Sequence, residues 1–303
     1  MRRTLILLAV AASHISVARA EVPVSYAATG HPTVPTYVNG KGPYPFVFDT
    51  GAEGTAIYSA FAQRVGLAPL EDRSEVLQGQ TGAASLDLTL VDELSVDGRT
   101  ATDVEAVILP DRADGIPLNG IVGLDIMGGS VVEFDVPGNR VVLHPRDTQA
   151  AGLVQGPARR IEATRLTGGL LGIPVRIRGA EGIAVLDSGA RDTRINWRFA
   201  AAAGVDPDWP GLTDDGVIQG ATNNPVAAKR GDVGVIELGD IRKEGQSLRI
   251  VDLPVFEAFG VADRPAMILG MDLLKDAHLI VDFPLAAVWL VSKRNQAEDV
   301  SRR

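Results

Sequence analysis

Two aspartates in this chain are set up for chemistry in the same way. Asp49 ends the phrase Phe46-Val47-Phe48-Asp49-Thr50-Gly51-Ala52, and Asp187 occupies the same place in Ala184-Val185-Leu186-Asp187-Ser188-Gly189-Ala190. Each apolar run delivers a carboxylate into a tight hydroxyl-glycine turn. A lone carboxylate is a poor base near neutral pH, because its pKa is about 4. Two carboxylates about 3 Å apart behave differently. At an effective dielectric of about 20 their repulsion is roughly 5 kcal/mol, so the pair keeps one proton between them. One member can then take a proton from water while the other donates to a substrate carbonyl. That chemistry needs no metal, no cofactor and no covalent intermediate.

The flanking residues fit such a pair. The apolar runs raise the cost of charge, Gly51 and Gly189 admit backbone N–H groups close to the carboxylates, and Thr50 and Ser188 supply hydroxyls that can bond across an interface. Either aspartate alone would be an ordinary turn residue. The repetition of its surroundings is what carries the chemical reading.

Asp49 and Asp187 lie 138 positions apart, and at that offset Gly51, Ala52, Thr55, Ile57, Phe61, Ala62 and Gly66 meet Gly189, Ala190, Thr193, Ile195, Phe199, Ala200 and Gly204. Residues 34–40 resemble 173–179, and Gln78-Gly79 resembles Gln219-Gly220. Ile121-Val122-Gly123-Leu124-Asp125 resembles Ile268-Leu269-Gly270-Met271-Asp272, at an offset of 147, so the second unit carries extra residues between its motifs. Two units of this length indicate a duplicated lobe rather than a solenoid.

The pair of Asp-Thr/Ser-Gly-Ala motifs, each followed by an apolar-apolar-Gly segment, resembles the retropepsin-like aspartic proteases, and within them the bacterial secreted branch. The likeness covers nearly the whole mature chain as two tandem copies, the bilobal arrangement of pepsin-like enzymes. It implies Asp49 and Asp187 as catalytic residues and Thr50, Gly51, Ser188 and Gly189 as supports of their loops. It implies that Gly123 and Gly270 pack beneath those loops. It also implies hairpin flaps over a peptide cleft, with candidates at 78–84 and 219–225 containing Gly79, Gly82 and Gly220. The dense glycine run of some viral flaps and the flap tyrosine of pepsin-like enzymes are missing from both. The expected activity is aspartic endopeptidase, working as a monomer on a peptide or protein. The alternative is an inactive peptide-binding protein of the same fold.

The elements needed to hold these motifs are mostly strands, so the expected class is mainly β, two β-barrel lobes with short helices. In the first lobe, strands are expected at 34–38, 44–49, 85–90 and 104–109, with Leu86, Leu88 and Leu90 on one face. A hairpin is expected from 131–134 and 140–143, and a helix at 59–65 ended by Gly66. In the second lobe, a helix is expected at 196–203 and strands at 233–238, 248–251, 279–283 and 287–291. The domain reading is a signal peptide over 1–20, a lobe over 21–147, a linker over 148–157 and a lobe over 158–303.

Residues 1–20 read as an export signal: Arg2 and Arg3, an apolar stretch at 5–12, and Ala18-Arg19-Ala20 as the cleavage site. A periplasmic or secreted bacterial location is expected, with no membrane insertion once the signal is removed. The absence of cysteine excludes disulfides, thiol nucleophiles and thiolate metal sites. The net charge of −9, three units lower without Arg2, Arg3 and Arg19, argues against nucleic acid as a partner. His31, His144 and His278 share no metal-ligand spacing and are expected to be structural, as are Asp135 and Asp282. Asp125 and Asp272 are expected to open short helices, and Glu53 and Arg191 to pair with each other, to bias which aspartate holds the proton, or to be solvated. Trp197, Trp209 and Trp289 are core or cleft walls. A glycosidase would also use two carboxylates, but would need wider spacing and an aromatic sugar platform, and this chain is poor in aromatics.

Overall fold

The computed structural model describes residues 21–218, 220 and 225–292. The expected signal segment, the tip of the second flap candidate and the charged tail therefore lie outside the described residues. What is described is mainly β. An eight-stranded sheet forms the first lobe, a ten-stranded sheet forms the second, and a six-stranded sheet is shared between them.

Each lobe holds its aspartate by the same pairing. Strand Lys41–Phe48 runs parallel to Gly120–Val122, and Ala180–Leu186 runs parallel to Ala266–Leu269. The Asp49 N–H continues the first ladder by donating to Val122 O at 3.1 Å, and the Asp187 N–H continues the second by donating to Leu269 O at 3.2 Å. The apolar runs read in the sequence are these strands. Phe46, Phe48, Val185 and Leu186 are buried, each worth about 1.5–3 kcal/mol of transfer from water. Phe46 also meets Phe61 of helix Ser59–Val65 edge to face at 5.3 Å, pinning that helix behind the loop. Gly66 ends the helix at φ +81°, a conformation that a side chain would strain. The equivalent helix, Trp197–Ala202, is started by Asn196, whose side chain accepts from Phe199 N at 2.9 Å.

The shared sheet joins the lobes by backbone. Hairpin strands Val131–Asp135 and Arg140–His144 come from the first lobe, Ala277–Asp282 and Ala287–Ser292 from the second, and Val131–Asp135 pairs directly with Ala277–Asp282. Phe134 in this sheet packs edge to face on Phe48 at 5.7 Å, so the strand that delivers Asp49 rests on the shared layer.

Several local expectations need correction. Leu90 is 36% exposed, whereas Val91 is fully buried. Strand Gly82–Val96 is long; it pairs with Arg99–Leu109 along one edge, while its partner on the other changes from Pro69–Gly79 to Pro32–Val38. Leu86 and Leu88 face a satellite cluster with Tyr58 and Leu109, Val91, Leu94 and Val96 face the main core, and the twist between them leaves Leu90 outside. Residues 233–235 are not strand, which begins at Ile236–Leu238. Gly234 takes φ +88° there, and its N–H donates to Asp232 Oδ1 at 2.7 Å, turning the chain before the strand. The segment 148–157, expected as the linker, contains the 3₁₀ turn Ala150–Leu153, with Ala150 buried near Ile280 and Trp289.

Candidate active site

The two hydroxyl-glycine turns meet back to back at the lobe interface. The Thr50 N–H donates to Ser188 Oγ at 3.0 Å and the Ser188 N–H donates to Thr50 Oγ1 at 3.0 Å. Each hydroxyl then donates to the strand entering the opposite turn, Thr50 Oγ1 to Leu186 O at 3.1 Å and Ser188 Oγ to Phe48 O at 2.7 Å. All four bonds cross between lobes and are buried, so they are sheltered from competing water. The glycines make the approach possible. A Cβ on Gly51 would lie 2.6 Å from Asp187 Cγ, and one on Gly189 would overlap the Asp49 carboxylate. The Gly51 N–H donates to Asp49 Oδ1 at 2.8 Å.

Beneath the turns lie the two apolar-apolar-Gly segments. A Cβ on Gly123 would fall 2.6 Å from Ala52 O, and one on Gly270 would fall 2.8 Å from Ala190 O. Asp125 and Asp272 do not cap the helices that follow; Gly123 and Gly270 hold the cap positions, and the aspartates sit in the first turn. Their carboxylates grip the far end of each loop instead. Asp125 Oδ2 accepts from Thr55 N at 2.9 Å, and Asp272 Oδ1 accepts from Thr193 N at 2.8 Å. The repeat alignment contained this link, since both partners recur in both copies.

Asp49 and Asp187 come together between Gly51 and Gly189, and both line a cleft of about 390 Å³. Desolvation pushes Asp49 well above the usual carboxylate range, and the facing Asp187 pushes it the same way. Desolvation raises Asp187 too, but the Arg194 guanidinium opposes it. Two desolvated carboxyls set face to face favour a single shared proton. Arg194 escaped the sequence reading. Its signal was a mismatch: at the offset of 138 it stands opposite Ala56, a charge where the first copy has a methyl group.

Two hairpins rise over the cleft. Gln80 and Thr81 form the tip of the first, between strands Pro69–Gly79 and Gly82–Val96. Gly82 has φ +132°, whereas Gly79 lies within the strand. The second is built from Thr213–Ile218 and Val226–Asp232. The Gly220 N–H donates to Thr81 Oγ1 at 3.2 Å, so the tip of the first hairpin is bonded to Gly220 of the second lobe. Gly220 does not take a positive φ. It is small because a Cβ would sit 3.0 Å from Thr81 Oγ1.

Other sequence candidates fall elsewhere. Glu53 and Arg191 do not pair with each other among the described residues; Arg191 donates to Thr29 O at 2.9 Å, and Glu53 packs against Gly168. No tryptophan lines the cleft among its described residues. Trp289 is buried in the satellite core beneath the shared sheet, and Trp209 stacks under Arg178. Asp135 and Asp282 accept from backbone N–H groups in their own hairpin turns. His144 and His278 both bond Glu133, at 2.8 and 3.0 Å, which ties the two lobes together through the shared sheet. His31 lines the cleft, and burial, followed by the charges of Arg191, Arg112 and Arg194, lowers it to about 4. Among the described residues no group of three or more His, Cys, Asp or Glu could hold a metal ion.

A family model described as aspartyl protease matches residues 34–126 and 173–273, which are the two copies of the repeat. No curated protein matches the chain.

Proposed function

The chain belongs to the aspartyl protease family, with two tandem retropepsin-like copies in one molecule, and on that premise we propose that it is an endopeptidase whose Asp49/Asp187 pair activates water. The observation that supports this most is the contact between two desolvated carboxyls on the floor of a cleft roofed by hairpins. Ionised Asp187 takes a proton from a water molecule as that water attacks the scissile carbonyl, and Asp49 donates its proton to the carbonyl oxygen. The product is a gem-diol bound to the pair. A proton then passes from the pair to the peptide nitrogen, the C–N bond breaks, and the pair recovers its single proton. The peptide lies extended, its backbone within reach of the hairpin edges.

One chain supplies both aspartates, so the working unit of this proposal is the monomer, and the substrate is an unfolded or extended segment of another protein. The setting is outside the cytoplasm, after removal of residues 1–20. No helix among the described residues is long and apolar enough to cross a membrane.

Purified protein incubated with peptides tests the proposal. Cleavage should follow a bell-shaped pH profile, losing its acid limb when the pair takes a second proton and its alkaline limb when the pair gives up its only one. Because Asp49 is raised, the alkaline limb should lie above the ordinary carboxylate range. A peptide with a hydroxyl in place of the scissile carbonyl should inhibit. Tight binding of that peptide with no cleavage at any pH would assign the protein to the alternative, a peptide binder that kept the fold.

A further inference from the structure

We propose that the second lobe carries an acid-selective subsite, in which Arg194 binds the side-chain carboxylate of an aspartate or glutamate in the peptide. The proposal deepens the peptide-cleft reading above and rests on it.

The two lobes build the walls beside the dyad from equivalent residues. In the first, Ala56 pairs antiparallel with Ile121 and parallel with Val107. In the second, Arg194 pairs antiparallel with Ile268 and parallel with Arg249. The register is the same, so an apolar pair on one side of the scissile bond is matched by two arginines on the other.

The two arginines are not equally satisfied. Arg249 is neutralised by Asp192, at 3.1 Å, and by Asp215. Arg194 makes no ion pair among the described residues. It is only 5% exposed and lines the cleft, yet its Nη1 donates to a neutral acceptor, Gln80 Oε1, at 2.9 Å, and its Nε has no partner among the described residues. Burying a guanidinium with a single neutral partner is costly, because lost hydration is not replaced. Asp187 attracts Arg194, and Asp192 does so more weakly, while Arg249 and Arg191 repel it. Asp187 is engaged with Asp49 and Asp192 with Arg249, so no carboxylate among the described residues bonds Arg194 directly. The neighbouring His31 is lowered first by burial and then by the charges of Arg191, Arg112 and Arg194, with Asp114 opposing them.

A carboxylate fits the missing partner. It is planar, accepts two bonds from a guanidinium edge, and makes charge-assisted bonds stronger than the amide of Gln80 can offer. Gln80 sits at the tip of the first hairpin, so lifting that hairpin to admit a peptide also frees Nη1. The incoming side chain then replaces Gln80, while the subsite walled by Ala56 and Val107 takes an apolar group.

The test uses full-length protein and peptides that differ at one position, carrying Glu, Gln or Lys at each of the sites flanking the cleaved bond. Uncleavable hydroxyl forms of the Glu and Gln peptides are measured by calorimetry. At one position Glu should exceed Gln by at least about tenfold, both in kcat/KM and in affinity of the uncleavable form, with Lys poorest. Arg194→Ala, which copies Ala56, should bring the Glu-to-Gln ratio to about one, and Arg194→Lys should keep part of it. A purely structural role for Arg194 would lower turnover of all peptides alike and leave the ratio unchanged, which overturns the proposal. So does a ratio near one at every position in the wild type, a measurement that needs no variant to fold. Selective binding of the Glu form without cleavage would sink the catalytic reading and leave the subsite standing.

Discussion

Ala56 and Arg194 hold the same register in two copies of one lobe, and around them the copies have parted company. The first copy gives its aspartate apolar walls, and Asp49 is driven far up. In the second, burial raises Asp187 as well, and the charge of the Arg194 guanidinium opposes that rise. The backbone under both aspartates has barely changed: the same parallel ladder, the same hydroxyl bonds, the same aspartate gripping the end of each loop. A dyad made from two identical chains must break its symmetry by where one proton happens to sit. Here the side chains beside the two aspartates already differ, Ala56 in the first copy and Arg194 in the second.

Removing either aspartate is the harshest test of that comparison. Asp49→Asn and Asp187→Asn should each cut kcat by at least about 10³-fold, because the members act as one unit. Mixing the two dead variants should restore nothing, and wild-type specific activity should not fall on dilution; rescue by mixing would mean that sites are built between chains. The two should differ in stability. A carboxyl raised in the folded state binds its proton more tightly there, so stability falls as pH climbs from the unfolded value through the raised one. Asp49→Asn removes that fall and should raise the Tm at neutral pH more than Asp187→Asn does. Equal shifts would show that the two environments are alike after all.

Cutting the cross-lobe hydroxyl bonds probes what the copies still share. Ser188→Ala strands Thr50 N and Phe48 O, and Thr50→Val strands Ser188 N and Leu186 O. Each should cost about 2–4 kcal/mol in urea unfolding, while Thr50→Ser costs little.

A smaller effect is expected in the shared sheet. The His278 bond, helped by His144, holds Glu133 down at about 2 against the opposing cost of burial. A depressed carboxyl stabilises above its unfolded value, and that contribution is lost as pH falls from about 4.5 through about 2. Glu133→Gln should cost about 1–3 kcal/mol at neutral pH and flatten this part of the acid unfolding curve. An unchanged curve would remove Glu133 as a clamp between the lobes.

The mildest change touches the hairpin tips. Gly220→Ala pushes a methyl group against Thr81 and should raise KM by about two- to fivefold with the fold intact. Gly82→Ala strains a φ of +132° and should cost about 1 kcal/mol. Unaltered KM in both would mean that the tips do not gate the cleft.

Features fixed by local sequence were legible: the strands behind each aspartate, the Gly66 helix stop, and the duplication itself. Features that depend on a distant partner were not. Leu90 looks inward by alternation, but its strand changes neighbours partway along. Glu133, His144 and His278 carry no readable spacing because a sheet between lobes brings them together. Arg194 was hidden for the opposite reason. Matching the copies directs attention to what repeats, and its importance lies in failing to repeat.

The shared sheet also bears on how the chain comes into being. Glu133 and His278 are 145 positions apart, and the strand carrying Glu133 needs the one carrying His278 as its neighbour. Until the second lobe arrives, the first stands with that edge uncovered. An open edge seeks any matching strand, and the nearest match is the same strand of another nascent copy. A chain ending at residue 157 should therefore sediment as a dimer or larger species. The second lobe is thus a partner kept on the same message, arriving in time to occupy an edge that would otherwise recruit a stranger.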